Sequence, residues 1–185
     1  MNEQVKDPKT TTQDIILDTC ILIHLSTENM AIPLKYYLLD LIGRKFNLAI
    51  SGISITELLT NITLKKQQEG YKVLSIFKRY FLPDNILIAS GELSTLYKQV
   101  GIDNDNPIKI ECDHISLADR IIGATAVLSG SLILTADIND FPNPYFFPVE
   151  EKKILYKRKN KENMLYLQIL SPNNVLISEM INKRK

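Results

Sequence analysis

The sequence lacks the features that mark membrane, secreted and zinc-binding proteins. It contains no apolar run of about 18 residues, so no membrane-spanning helix is expected. Residues 1–13 are polar and lack an apolar signal core, which predicts a cytoplasmic protein. Its two cysteines, Cys20 and Cys112, are far apart and form no CxxC pair. We interpret both as small buried residues in a reducing compartment, with a disulfide as the alternative.

A strong charge of either sign is also missing. The net charge is +1, so any site for a polyanion must be a local patch. Apolar residues make up 45% and charged residues 23% of the 185 positions, as in a globular protein with a real core. The length suits one domain with an appendage.

Short apolar runs alternate with helical patterns from residue 14 to about residue 140. Strands are predicted over 14–18, 46–50, 86–89 and 131–135, and helices over 19–25, 31–44, 54–59, 63–80, 90–100 and 117–128. This alternation predicts an α/β domain with a mainly parallel sheet. Two later apolar runs, 154–156 and 164–170, flank a basic loop and predict a C-terminal β-hairpin. The chain then divides into a flexible tail (1–12), a domain (13–142) and an extension (143–185).

Four acidic residues occupy strand exits or helix entrances. Asp18 and Asp137 follow predicted strands, whereas Glu57 and Asp119 each come three residues after a serine. Each position has a local explanation, because serine followed by an acid at this spacing forms a capping box, and Asp137 suits a turn. Asp140 fits that turn even better.

The joint placement of these acids indicates more than their local roles. Carboxyl ends of parallel strands share one edge of a sheet, where ligands of α/β proteins bind. Carboxylates brought together there repel one another unless a cation joins them, and oxygen ligands suit Mg²⁺ or Mn²⁺. Such an ion activates water and neutralises charge on a phosphate, so the pattern predicts phosphodiester hydrolysis.

Basic and histidine residues give weaker indications. The hairpin carries a basic run over 152–161, within which Lys157, Arg158 and Lys159 are candidate RNA contacts or a solvated tip. Arg120 is a candidate contact to the scissile phosphate or a partner of an acid. For the remaining candidates, His24, Asp113 and His114, a helix or loop role is favoured over catalysis.

Four motifs in order resemble those of the PIN domain family, and of its VapC-like toxins in particular. They are LDTCILI over 17–23, SITEL over 54–58, SLADRIIGATA over 116–126 and ILTADINDF over 133–141. The resemblance implies a three-layer α/β/α fold and an endoribonuclease that uses Mg²⁺ or Mn²⁺. It implies that the ion is held by four acids: Asp18, Glu57, Asp119 and Asp137. Thr19 and Thr135 match positions that orient the acids or a water.

The resemblance also implies an antitoxin partner and a homodimer. Two alternatives remain open: an RNA-processing nuclease outside any toxin–antitoxin pair, and a binding module without catalysis. Other phosphate enzymes fit less well. An aspartyl phosphatase needs a second acid where Cys20 stands, and a phosphorelay receiver needs a lysine after the last strand.

Overall fold

The structure is a computed structural model that describes residues 12–60, 67, 71–72, 74–97, 101–103, 106–108, 115–159 and 161–182. The strands are β1 (Asp14–Leu17), β2 (Asn47–Ser51), β3 (Lys78–Tyr80), β4 (Gly101–Asp103), β5 (Asn106–Ile108), β6 (Leu132–Thr135), β7 (Phe146–Arg158) and β8 (Lys161–Pro172). The helices are α1 (Thr19–Leu25), α2 (Glu28–Gly43), α3 (Gly52–Thr60), α4 (Asp84–Tyr97), α5 (Leu117–Ser129) and α6 (Asn174–Asn182), with a 3₁₀ helix at Ile138–Asp140. Within the described ranges, no helix is long and apolar enough to cross a membrane.

Six strands form one mixed sheet in the order β3-β2-β1-β6-β8-β7. The first four run parallel, β8 pairs antiparallel with β6, and β7 pairs antiparallel with β8. Strands β1 and β6 therefore end at the same edge, with Leu17 opposite Leu134. The mainly parallel sheet predicted from the sequence is confirmed.

Helices cover both faces of this sheet. Along β1, Ile15 and Leu17 belong to a core cluster with α1 and α2, whereas Ile16 belongs to a second cluster with α4 and α5. This alternation follows from the two-residue period of a strand buried on both sides. The three-layer α/β/α arrangement is confirmed.

Helix α5 has the ends that its sequence predicts. Ser116 accepts a hydrogen bond from the Asp119 backbone N–H, and the Asp119 carboxylate accepts one from the Ser116 N–H, which completes a capping box. Gly130 ends the helix with φ +66°, a conformation that favours glycine.

The strand predicted over 86–89 is wrong, because these residues lie in α4. Ile86, Ser90, Leu93 and Tyr97 are buried at helical spacing, while Leu87 and Ile88 are exposed. A four-residue apolar run does not distinguish a strand from a helix. The helix predicted over 90–100 consequently begins earlier, and Gly101 lies in β4 instead of capping it.

Two further boundaries differ from the sequence predictions. Helix α2 begins at Glu28, so Pro33 lies inside it and not in its first turn. Much of the helix predicted over 63–80 lies outside the described residues, and its last three residues form β3.

The predicted C-terminal hairpin is confirmed as β7 and β8. It is longer than expected, and β8 pairs with β6, so the hairpin continues the main sheet. The division of the chain at residue 142 stays a prediction.

Candidate active site

Asp18 lies at the carboxyl edge of the sheet, directly after β1. Its side chain is 2% exposed, and Oδ2 accepts hydrogen bonds from Thr135 Oγ1 at 2.7 Å and Cys20 Sγ at 3.0 Å. The side chain does not cap α1, although Asp18 is the residue before that helix. The carboxylate is therefore available for a role other than capping.

Glu57 reaches the same edge from α3. Its Oε2 accepts a hydrogen bond of 2.6 Å from Thr19 Oγ1, and Thr19 directly follows Asp18. The capping box expected for Ser54 and Glu57 is wrong. Helix α3 begins at Gly52, which leaves Ser54 buried within the helix.

Asp119 approaches the edge from the first turn of α5. Its capping interaction with Ser116 matches the local explanation of this residue. Its charge nevertheless acts on Asp18 and Glu57. The structure thus brings together carboxylates from three separate segments of the chain.

Burial and neighbouring negative charges raise the pKa of two of these acids, Asp18 and Glu57. Burial raises the pKa of Asp18, hydrogen bonds from Cys20 and Thr135 oppose it, and the charge of Asp119 raises it further. Burial likewise raises the pKa of Glu57, the bond from Thr19 opposes it, and the charges of Asp119 and Asp18 raise it further. A cation at this edge would relieve the repulsion.

Asp137 joins this edge through its backbone. Its N–H donates to Thr135 Oγ1 at 2.9 Å, while its Oδ1 accepts from the Asn139 backbone N–H and Nδ2, both at 3.1 Å. The carboxylate therefore serves a turn, as its local explanation predicts. Asp140 lies in the 3₁₀ helix that follows.

No group of three or more histidine, cysteine or acidic side chains in the described part of the chain is arranged to hold a metal ion. Other hydrogen bonds engage the carboxylates: Thr19 binds Glu57, Ser116 binds Asp119, and Asn139 binds Asp137. An ionised carboxylate has about four acceptor sites, so these bonds do not preclude a shared cation. The chemistry of the donors still suits a hard divalent ion, because all of them are carboxylate oxygens.

The PIN domain family model matches residues 15–146. The chain belongs to the PIN domain family. The match includes Asp18, Glu57, Asp119 and Asp137 and ends where the hairpin begins. Membership of this family supports nuclease activity.

Two solved structures are similar to this PIN domain. One is a toxin–antitoxin complex from Klebsiella pneumoniae, with 26% identity, 70% of this chain and 92% of that chain covered, and a TM-score of 0.51. The other is VapBC2 from Rickettsia felis bound to a DNA fragment from their promoter, with 22% identity, coverage of 69% and 90%, and a TM-score of 0.53. The second likeness shows the fold alone. No curated protein matches the sequence.

The sequence reading missed the part that Cys20 plays. It is not merely an apolar filler, because Sγ contacts Asp18 Oδ2, accepts from the Ala136 N–H at 3.3 Å and lies 3.6 Å from Thr135 Oγ1. Burial, together with the charge of Asp18, raises the pKa of the thiol, so it remains a donor. Its position two residues after an acid at a helix start was the available signal. Cys112, Asp113 and His114 lie outside the described residues.

The remaining candidates lie around this edge or on the hairpin. Arg120 follows Asp119, and its Nε is buried without a hydrogen-bond partner among the described residues. Lys157 and Arg158 end β7, and Lys159 follows in the turn with φ 49°. His24 lies half-buried on α1, and burial lowers its pKa.

An apolar groove of about 790 Å³ lies beside Glu57. Helices α1, α2 and α3 and residues 74–77 contribute its walls. Several of its apolar side chains are well exposed, among them Ile23, Leu39, Ile42 and Ile76. An exposed apolar surface of this kind is typical of protein-binding sites.

Proposed function

We propose that this PIN domain is a metal-dependent endoribonuclease, and that it is the toxin of a toxin–antitoxin pair. The observation that supports the proposal is the placement of Asp18 and Glu57 at one edge of the sheet, where Thr19, the residue after Asp18, donates to Glu57. The charge of Asp119 acts on both. Repelling carboxylates raise the free energy of the folded protein, and function is a reason to retain them. A cytoplasmic location, where RNA is present, belongs to the same proposal.

Asp18, Glu57, Asp119 and Asp137 would hold Mg²⁺ or Mn²⁺. When bound, such an ion lowers the pKa of a coordinated water and neutralises charge that develops on a phosphate. Asp137 is the outermost of the four and is exposed, so its contribution would follow a rearrangement of its turn.

The neighbouring side chains prepare the acids for this role. Thr135 and Cys20 donate to the same oxygen of Asp18, which fixes the carboxylate and favours its charged form. Thr19 does the same for Glu57. Arg120 is the proposed cationic contact for the phosphate, because it follows Asp119 and its buried Nε has no hydrogen-bond partner in the part of the chain that the structure describes.

Cleavage of labelled RNA with and without Mn²⁺ tests the nuclease proposal. Wild type should cleave only with the ion, and Asp18→Asn and Asp119→Asn should lose cleavage while they remain folded. Asp40→Asn is the matched control, because this carboxylate lies on α2, is 61% exposed and pairs only weakly with Arg44. Full activity in both site variants would refute the proposal.

An antitoxin that occupies the apolar groove would sit beside Glu57 and exclude RNA. The solved relatives are themselves described as toxin–antitoxin or VapBC structures, which supports a partner of this kind. A homodimer through exposed apolar side chains is part of the same proposal.

Expression of wild type alone should arrest growth, whereas Asp119→Asn should not, and the product of a neighbouring small reading frame should restore growth. Growth arrest that persists in Asp119→Asn would contradict toxicity through cleavage.

A further inference from the structure

The hairpin projects past the edge of the sheet that carries the acids. Thr135, the last residue of β6, pairs with Gln168 of β8, so residues 161–167 continue beyond it. Residues 152–158 of β7 accompany them. At a strand rise of about 3.3 Å, these seven residues extend roughly 23 Å. Because β1 and β6 are parallel, the projection begins on the side of Asp18.

One face of the projecting hairpin is already covered. Ile154 and Leu165 are buried in the core cluster that contains α1 and α2. Glu150 accepts hydrogen bonds from Tyr37 of α2 and from Arg44, the residue that follows α2. Lys152 Nζ lies 5.9 Å from the centre of the Tyr37 ring. We call this the helix-side face.

No helix of the described ranges covers the opposite face of the projecting hairpin, which lies on the side of α5. We call it the open face; it carries Lys153, Leu155 and Lys157 on β7 and Glu162, Met164 and Tyr166 on β8. Leu155 is 70% and Met164 54% exposed. The open face starts at the acid site with the pair Thr135 and Gln168. The preceding pair on the same face, Ile133 and Leu170, packs in the core cluster that contains α5.

We propose that the open face binds the RNA strand that leaves the acid site. Lys153 and Lys157 would contact phosphates about 13 Å apart, as the strand rise sets their spacing, and Leu155 and Met164 would contact bases between them. Charge favours RNA over a protein partner with a neutral surface. Residues 152–161 include six cationic side chains and no acid, and two of the six, Lys153 and Lys157, lie on the open face. The surface is also continuous with the edge that holds Asp18.

The open face also carries acidic side chains, and we expect it to bind RNA in spite of them. Glu151 accepts from Gln168 Nε2 at 2.9 Å and from the Tyr166 hydroxyl, and Lys153 Nζ lies 5.8 Å from the centre of the Tyr166 ring. Glu162 stands opposite Lys157, beside the outer end of the proposed phosphate path. Glu162→Gln should therefore strengthen RNA binding.

This inference rests on the proposed nuclease function, but its test reads binding separately from cleavage. The probe is a fluorescein-labelled oligouridylate of about 16 nucleotides, followed by anisotropy in EDTA at several salt concentrations. The variants are Lys153→Gln/Lys157→Gln on the open face and Lys152→Gln/Lys161→Gln on the helix-side face. Both pairs remove two positive charges from the same hairpin, and circular dichroism checks that both remain folded.

The open-face variant should bind roughly ten-fold more weakly at about 0.1 M salt, and its log–log salt slope should fall by about 1.4. The helix-side variant should stay within about two-fold of wild type. Equal weakening of both variants would overturn the inference in favour of general charge attraction. Wild-type binding by both would assign the face to another partner, such as a protein. RNA binding through this face without cleavage in Mn²⁺ would refute the nuclease proposal alone.

Discussion

The Thr135 hydroxyl donates a 2.7 Å hydrogen bond to Asp18 Oδ2. This bond joins the last residue of β6 to the residue that follows β1, across two neighbouring parallel strands. Thr135 is fully buried, so water cannot replace it as a donor. The bond opposes the rise in the Asp18 pKa that burial and the charge of Asp119 cause.

Thr135→Val should lower cleavage about ten- to a hundred-fold, because the acid loses the donor that orients it and favours its charge. Steady-state kinetics with Mn²⁺ measures the effect. Thr125→Val is the matched control, since Thr125 is equally buried and its hydroxyl donates only to the Ile121 carbonyl within α5. An equal loss in both variants would indicate damage to the fold.

Cys20→Ala should also lower cleavage, whereas Cys20→Ser should preserve most of it. Serine keeps a donor two residues after Asp18, and alanine removes the donor to Asp18 and the acceptor for the Ala136 N–H. The comparison of kcat between the two variants isolates hydrogen bonding from side-chain volume. Equal activity of Cys20→Ala and wild type would show that Thr135 suffices.

Asp18→Asn should stabilise the fold at neutral pH without metal. The pKa of Asp18 is raised above its ordinary value of 3.8, so the folded protein binds the proton more tightly than the unfolded chain. Stability from this group therefore rises as pH falls through the raised pKa, and it is lowest above that pKa. At neutral pH the urea concentration at the unfolding midpoint should be higher for Asp18→Asn than for wild type. This difference should shrink below pH 3.8. A variant that is less stable at neutral pH would contradict this.

Asp14→Asn should destabilise the fold and leave the activity of the folded molecules unchanged. Burial raises the pKa of Asp14, but bonds from Lys78, Tyr80 and Asn47 outweigh it, so the net shift is downward. That stability is present above pH 3.8 and lost as pH falls through the lowered pKa. We expect a cost of about 1–2 kcal/mol, because half-exposed Lys78 is screened by water. Urea unfolding at neutral and acid pH measures this cost. An altered kcat of the folded variant would contradict the expectation that Asp14, at the start of β1, acts on stability alone.

Sequence reading succeeded where local pattern and final structure agree. Ser116 and Gly130 mark the ends of α5, and both use the conformations that their residue types favour. The run at 86–89 misled because tertiary packing, and not composition, decides the state of so short an apolar segment. The pattern Ile86, Ser90, Leu93 and Tyr97 was visible only once the helix was extended across it.

Sequence placed the acids in order but could not fix their partners. Asp18 follows β1 as expected, and Glu57 lies in a helix but not in the expected capping box. The bonds from Thr19 to Glu57 and from Cys20 to Asp18 depend on three-dimensional geometry. The projecting hairpin was likewise visible as two strands, while its pairing with β6 depends on contacts distant in sequence. The spacing of residues along the sequence does not determine the three-dimensional distances between separate segments.

Binding of Mn²⁺ by calorimetry, compared between wild type and Asp18→Asn, tests the central claim most directly. The account predicts binding by wild type, a large loss of affinity in Asp18→Asn and unchanged affinity in Asp40→Asn. Equal affinity in wild type and Asp18→Asn, or no binding by wild type, would contradict a cation site built on these carboxylates.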